Sequence, residues 1–133
     1  MDVQIGRIDS QIPDAENMIP DENLPIGDLK AAFDRMNLTT MDLVALSGSH
    51  ALGGKGFGDP LTFDNEYYKI LLEKPWESGD SMKQMIGIPS DHVLPNDAEC
   101  STIIRDFAKD EKKFFKSFVS SYNKLTTLGY NLS

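Results

Sequence analysis

One segment constrains the fold of this chain more than any other. It is a helical segment that ends near a histidine and is followed by a cluster of glycines. Residues 42–52 are largely apolar, as in a buried helix, and His50 stands near the end of the segment. Four glycines follow before Pro60: Gly53, Gly54, Gly56 and Gly58. Glycine is a poor helix former, so we expect the helix to stop here and to leave His50 beside a flexible loop.

Helical signals precede this segment. Residues 27–36 place Leu29, Phe33 and Met36 on one face, and Asn37 suits the end of that helix. Thr39 or Thr40 is expected to cap the helix that leads to His50. Asp42 then falls in its first turn, where the helix dipole favours an acid. Leu43, Val44 and Leu46 are expected to supply its buried side.

Three further helices are predicted after the glycines, so the fold class is mainly α. Residues 64–72 offer Tyr67, Ile70 and Leu71 as an inner face, and Pro75 ends that helix. The two closing helices, over residues 101–107 and 110–127, carry apolar stripes that we interpret as core. The stripes are Ile103, Ile104 and Phe107, then Phe114, Phe115, Phe118, Tyr122 and Leu125. One short β-hairpin is predicted over Met82–Ile88.

Length and charge limit the function classes. With 133 residues the chain suits one domain, and its net charge of −8 argues against nucleic acid as a partner. The apolar runs are too short for a membrane span, and the first residues carry no signal-peptide pattern. Cys100 is the single cysteine, so no internal disulfide forms, and we interpret it as a core residue rather than a redox thiol. The glycine loop is not a P-loop, because Lys55 is not followed by Ser or Thr.

Five patches, in order along the chain, resemble the C-terminal half of the intracellular (class I) haem peroxidases. They are Gly6–Asp9, Asp42–Gly53, Phe63–Tyr68, Ile88–Asp91 and Phe107–Phe115. Residues 55–60 and 67–76 are similar to the plant ascorbate-peroxidase-related branch, whose members are typically plastid proteins. The resemblance implies the proximal helical domain of the haem-peroxidase fold over residues 1–133, incomplete and with the distal domain absent, and it implies a chloroplast location.

The resemblance also assigns site residues. His50 would be the axial ligand of the iron of haem b, and Asp91 would accept the hydrogen bond from its other ring nitrogen, which makes the imidazole more basic. Ser90 would contact a haem propionate. Simpler interpretations remain: a histidine at a helix end as a cap, and Asp91 as a turn residue. His92 is interpreted as a surface residue, and Trp76 as a packed aromatic side chain at a helix–loop junction.

The chain also departs from that family. In that family the loop after the proximal histidine holds a tryptophan and the arginine that binds ascorbate. Residues 51–63 contain neither, so ascorbate as reductant and a tryptophan radical are not predicted. A bound cation is not predicted either, because Ala51 stands where the family has a hydroxyl. Peroxide cleavage needs a distal base and a cation, which the family places on an Arg-x-x-Trp-His helix. None of the three arginines, Arg7, Arg35 and Arg105, is followed by Trp-His.

Two functions remain open from the sequence. The first is a haem-dependent peroxidase that reduces hydrogen peroxide with an unknown reductant in the oxidative-stress response, with this chain as part of a longer enzyme. The alternative is a non-catalytic half-domain with at most haem binding or protein association. In that case self-association is expected through an apolar face that includes Leu46, Phe63 and Ile88.

Overall fold

Six α-helices and short 3-10 turns make up the part of the chain that the structure describes. The structure is a computed structural model, and it describes residues 5–73 and 85–129. The helices are α1 (Ile26–Arg35), α2 (Thr40–Ser47), α3 (Glu66–Glu73), α4 (Pro89–Val93), α5 (Ala98–Lys109) and α6 (Glu111–Thr126). The 3-10 turns Gly48–Ala51 and Leu94–Asn96 continue α2 and α4. No strand occurs within the two described ranges, and the prediction of a mainly α fold is confirmed.

The predicted hairpin falls only partly within these ranges. Residues 82–84, together with Pro75 and Trp76, lie outside the described residues. The remaining hairpin residues, 85–88, form no strand. Instead the Gly87 amide donates a 2.8 Å hydrogen bond to the Lys55 carbonyl, which joins this segment to the glycine loop.

Local sequence signals explain where the main helices begin. Thr39 caps α2 in a capping box: its hydroxyl accepts from the Asp42 amide, and the Asp42 carboxylate accepts from the Thr39 amide at 2.9 Å. Asp97 and Asp110 cap α5 and α6 by accepting from amides three residues ahead. Asn37, with φ of 58°, follows α1 in the left-handed conformation that often ends helices.

The core lies where α2 and α3 pack against α5 and α6. Its most buried large side chains are Tyr67, Tyr68, Phe57, Phe107, Phe114, Leu38, Leu43, Leu71, Leu94 and Ile104. The predicted stripe on α5 is confirmed, and Cys100 is fully buried and unpaired, as expected. Tyr68, which the sequence did not place on the inner face of α3, is as buried as Tyr67.

The aromatic stripe of α6 is only partly core, which corrects the sequence interpretation. Phe114 is fully buried, and Phe115 and Phe118 pack against the core from its edge. Tyr122 and Leu125, by contrast, are each 38% exposed. The second half of α6 packs on α2 through a different face, where Ser121 is 1% exposed and its hydroxyl donates to Asp42.

The N-terminal segment lies on the surface without regular structure. Residues 5–25 form no helix. Ile5, Ile8, Ile12 and Ile19 are 78–91% exposed. The Arg7 guanidinium donates to the Thr126 carbonyl at the end of α6, which attaches the segment to the helical core. Within the described ranges, no helix has the length and apolar character that a bilayer crossing requires.

Candidate functional site

His50 lies in the 3-10 turn that continues α2. Close packing around Gly48, two residues earlier, holds this turn in place. Gly48 opens the turn, and a Cβ atom there would lie 2.7–2.8 Å from the ring of Phe114 and closer still to the Tyr68 hydroxyl. Only glycine therefore lets the end of α2 approach α3 and α6 this closely. The His50 side chain remains about one-third exposed, at the edge of the core.

Asp91 is the partner of His50 and comes from the first turn of α4. Its Oδ1 atom lies 2.8 Å from Nδ1 of His50, and its side chain is only 1% exposed. Oδ2 accepts the Ile88 amide at 2.9 Å, which orients the carboxylate. The Tyr67 hydroxyl donates to Oδ1 at 2.7 Å. The structure thus brings His50 and Asp91 together across 41 residues of chain.

The electrostatics of this pair favour one state of the imidazole. The hydrogen bond to Asp91 raises the pKa of His50 above its usual 6.5, although burial acts in the opposite direction. When the ring is neutral, the carboxylate keeps the proton on Nδ1 and leaves a lone pair on Nε2. Among the described residues Nε2 has no hydrogen-bond partner. The site therefore presents one basic nitrogen supported by a buried carboxylate.

An apolar cavity of about 350 Å³ lies beside His50. Its apolar lining comes from α1, α2 and α6 and from Ile88, and its polar lining is sparse. The lining residues are Pro20, Asp21, Glu22, Leu29, Phe33, Leu43, Leu46, Ser47, Ser49, His50, Ile88, Ser90, Phe118, Tyr122 and Leu125. An open apolar cavity with a few polar groups is typical of a small-molecule or cofactor site.

The other predicted residues fall in different places. Ser90 lines the same cavity as His50. His92, interpreted as a surface residue, is partly exposed, and its Nε2 atom lies 2.6 Å from the Ile86 carbonyl. Cys100 is far from reactive, since burial raises the pKa of its thiol to about 12.

Two contributions to the site were missed from the sequence. Tyr67 was expected only to pack, yet its hydroxyl reaches Asp91. The stripe residues Phe118, Tyr122 and Leu125 were interpreted as core, yet they line the cavity. Their spacing of four and seven residues marks one helix face, but it does not reveal whether another element covers that face.

Comparisons with known proteins found a matching family model and a set of relatives. A protein-family model described as peroxidase matches residues 1–59. "Putative L-ascorbate peroxidase 6" of Arabidopsis thaliana is 51% identical over 127 residues, which is 96% of this chain and 39% of that protein. "L-ascorbate peroxidase 5, peroxisomal" of the same plant is 35% identical over 136 residues, covering 95% and 46% of the two chains. "L-ascorbate peroxidase 2, cytosolic", also from Arabidopsis thaliana, is 33% identical over 135 residues, covering 94% and 51%.

The matches to these relatives extend over nearly all of the chain, whereas the family model matches residues 1–59. The chain spans about two fifths to one half of the length of the curated relatives it matches. The aligned region includes both halves of the histidine–carboxylate pair, which lie on either side of the glycine loop. The sequence and the relatives that it matches therefore support a class I plant peroxidase, in the ascorbate peroxidase branch.

Proposed function

We propose that this chain forms the proximal, haem-binding side of a peroxidase that reduces hydrogen peroxide, as part of a longer enzyme. His50 would be the axial ligand of the iron of haem b, with Asp91 as its hydrogen-bond acceptor and Ser90 near a propionate. The observation that supports this most is the 2.8 Å contact between the buried Asp91 carboxylate and Nδ1 of His50, beside an apolar cavity. A carboxylate–histidine pair of this kind orients a metal-binding imidazole.

The residues of the site fit such a group. The cavity wall is mainly aliphatic and aromatic, as a flat macrocycle requires, and the His50 nitrogen that remains for a metal is the one not bonded to Asp91. The Asp91 hydrogen bond makes the imidazole a stronger donor, which favours oxidised iron. Haem, when bound, would supply the redox-active iron that takes up the oxidising equivalents of peroxide.

Cleavage of peroxide needs groups that the described residues around this cavity do not offer. None of the arginines lines it: the Arg35 guanidinium donates to the Met18 carbonyl at 2.8 Å, and Arg7 donates to Thr126. The histidine that lines it, His50, is assigned to the iron. We therefore propose that the distal base and cation belong to the rest of a longer enzyme, and that residues 1–133 are its proximal domain.

The relatives and the sequence together bear on the reductant and on the cellular location. The names of these relatives specify L-ascorbate, and they place one relative in the peroxisome and one in the cytosol. Residues 51–63 contain no arginine that could bind ascorbate, so we propose that a different, unidentified reductant donates the electrons. We propose a chloroplast location and an oxidative-stress role from the branch resemblance, and imaging of a fluorescent fusion in plant cells tests the location.

A second function, protein association with or without haem, is supported by a separate observation. Ile5, Ile8, Ile12, Ile19 and Leu61 are each 78% exposed or more. Leu46, Phe63 and Ile88, the predicted association face, are only partly buried, and two of them line the cavity. Burying such side chains against a second chain would be favourable, by about 25 cal/mol for each Å² removed from water. Sedimentation of the chain over a range of concentrations tests this function.

The experiment that tests the proposed function is a haem titration of the purified chain, followed by its Soret absorbance. We expect a saturable, red-shifted Soret band for the wild-type chain and for His92→Ala, the matched control, because His92 does not line the cavity. His50→Ala should lose the band. Equal spectra for His50→Ala and wild type, or no saturable band at all, would contradict haem ligation by His50.

A further inference from the structure

One oxygen atom of Asp91 serves two donors at once. Oδ1 accepts Nδ1–H of His50 at 2.8 Å and the Tyr67 hydroxyl at 2.7 Å, while Oδ2 accepts the Ile88 amide at 2.9 Å. A carboxylate oxygen has two lone pairs, so both bonds to Oδ1 are chemically allowed. The bond from Nδ1 is slightly short for an N–H···O bond, and the bond from the Tyr67 hydroxyl has the usual O–H···O distance.

The Tyr67 phenol is held in this position. Its side chain is fully buried on α3, with the ring of Phe57 edge-on at a centroid distance of 4.7 Å and the ring of Tyr68 at 4.9 Å. Rotation of the phenol away from Asp91 would meet these rings. Burial raises the pKa of Tyr67 well above 10, so the hydroxyl keeps its proton and always acts as the donor.

The second donor changes what Asp91 does to His50. A hydrogen bond to an ionised carboxylate stabilises its charge, so the carboxylate becomes a weaker acceptor for other donors. The bond from Tyr67 therefore weakens the pull of Asp91 on the Nδ1 proton. Because the pull on that proton controls the basicity of Nε2, the phenol affects the ligand nitrogen without touching it.

We propose that Tyr67 is a positioning residue that fixes Oδ1 of Asp91 towards His50 and limits the charge that Asp91 passes to the imidazole. Its consequence for iron rests on the proposed function: Tyr67 would set how strongly His50 favours oxidised over reduced iron. Hydrogen bonding outside the ligand shell is a recognised way to tune a haem iron. The effect of Tyr67 on the His50–Asp91 bond itself needs no cofactor.

The test compares Tyr67→Phe with Tyr68→Phe. Tyr68 is the matched control because it is the next residue on α3, is equally buried, and donates to the Val44 carbonyl at 2.9 Å instead of to Asp91. The first readout is the ¹⁵N resonance of Nδ1 of His50 in the ligand-free chain, at a pH where the ring is neutral. Tyr67→Phe should shift this resonance downfield, as a stronger bond to Asp91 does, and Tyr68→Phe should not.

The second readout is the iron midpoint potential of the haem-loaded chain. Tyr67→Phe should raise the preference for ferric over ferrous iron about tenfold, a fall of about 59 mV for a one-electron couple. Equal resonances and equal potentials for Tyr67→Phe and Tyr68→Phe would overturn the proposal. If the wild-type chain takes up no haem, the proposed function fails, and the ligand-free readout alone decides the role of Tyr67.

A third measurement needs no substitution and covers the case in which Tyr67→Phe does not fold. Replacement of all tyrosines by 3-fluorotyrosine makes each phenol more acidic and so a stronger donor. The Nδ1 resonance of His50 should then move upfield, opposite to the change in Tyr67→Phe. An unchanged resonance in the fluorinated chain would overturn the proposal.

Discussion

The Asp42 carboxylate gives the chain an acid-sensitive stability that a titration can measure. Its side chain is only 4% exposed, and it joins α2 to α6. The Lys124 ammonium donates to it at 2.9 and 3.1 Å, the Ser121 hydroxyl at 2.7 Å and the Thr39 amide at 2.9 Å. Burial alone would raise the pKa of Asp42, but these hydrogen bonds outweigh it and lower the pKa to about 2.

The size of the effect follows from that pKa. A fall from 3.8 to about 2, at about 1.4 kcal/mol for each pH unit, contributes about 2 kcal/mol to the free energy of unfolding at neutral pH. Because the folded-state pKa is depressed, this contribution is complete above the unfolded value and is lost as the pH falls. We expect about 1 kcal/mol to be lost by pH 3 and most of the rest by pH 2.

Urea denaturation at several pH values, followed by circular dichroism, is the assay. The wild-type chain and Asp42→Asn should differ most at pH 7 and converge towards pH 2. Lys124→Met should reduce the pH dependence of the unfolding free energy, because it removes a donor to Asp42. Lys113→Met on the same helix should lower the unfolding free energy by less than about 1 kcal/mol, because its ion pair with Asp106 is half exposed. If wild type and Asp42→Asn lose stability in parallel from pH 6 to pH 2, the reasoning is refuted.

Three further perturbations test the site and its support. Gly48→Ala should destabilise the chain by about 3 kcal/mol in urea titrations, because its Cβ would overlap Phe114, whereas Gly54→Ala, with open space around it, should stay within about 0.5 kcal/mol. Asp91→Asn should lower the pKa of His50 in NMR titrations, because it removes the carboxylate that raises this pKa. The same variant should weaken haem binding about tenfold or more. An unchanged titration of His50 would disprove the interaction between the two side chains. Cys100 should react with a thiol reagent at pH 8 only after unfolding, since its pKa is about 12, and rapid labelling of the folded chain would contradict this.

Five of the six helices were predictable because their signals are local, whereas the short helix α4 (Pro89–Val93) was not predicted. The apolar spacing along α5 and the cap at Thr39 lie within a few residues of the elements that they define, and the structure agrees with them. Gly48 was different. The sequence indicates only a weak point in a helix, whereas the structure shows a glycine required by the side chains of Tyr68 and Phe114.

The site was predictable only in part, because its contacts join distant segments. No local pattern indicates that Asp91 reaches back to His50; the resemblance to a family suggested this pair, and the structure brings the two side chains within 2.8 Å. The hydroxyl of Tyr67 could not be assigned a partner, since the spacing of residues on α3 identifies an inner face but not what lies opposite. Tyr122 was placed in the core for the same reason: its spacing marks a helix face, but not that this face borders the cavity, where the side chain is 38% exposed.

The long separation between the site residues has a consequence for the order of folding. The pair between His50 and Asp91 closes 41 residues of chain, and the contact between Asp42 and Ser121 closes 79. Closing such loops costs chain entropy before any contact compensates for it, so these contacts should form after the local helices. A ligand that requires the assembled His50 site would therefore bind the folded chain but not earlier intermediates, and would shift a marginal folding equilibrium towards the native state by mass action.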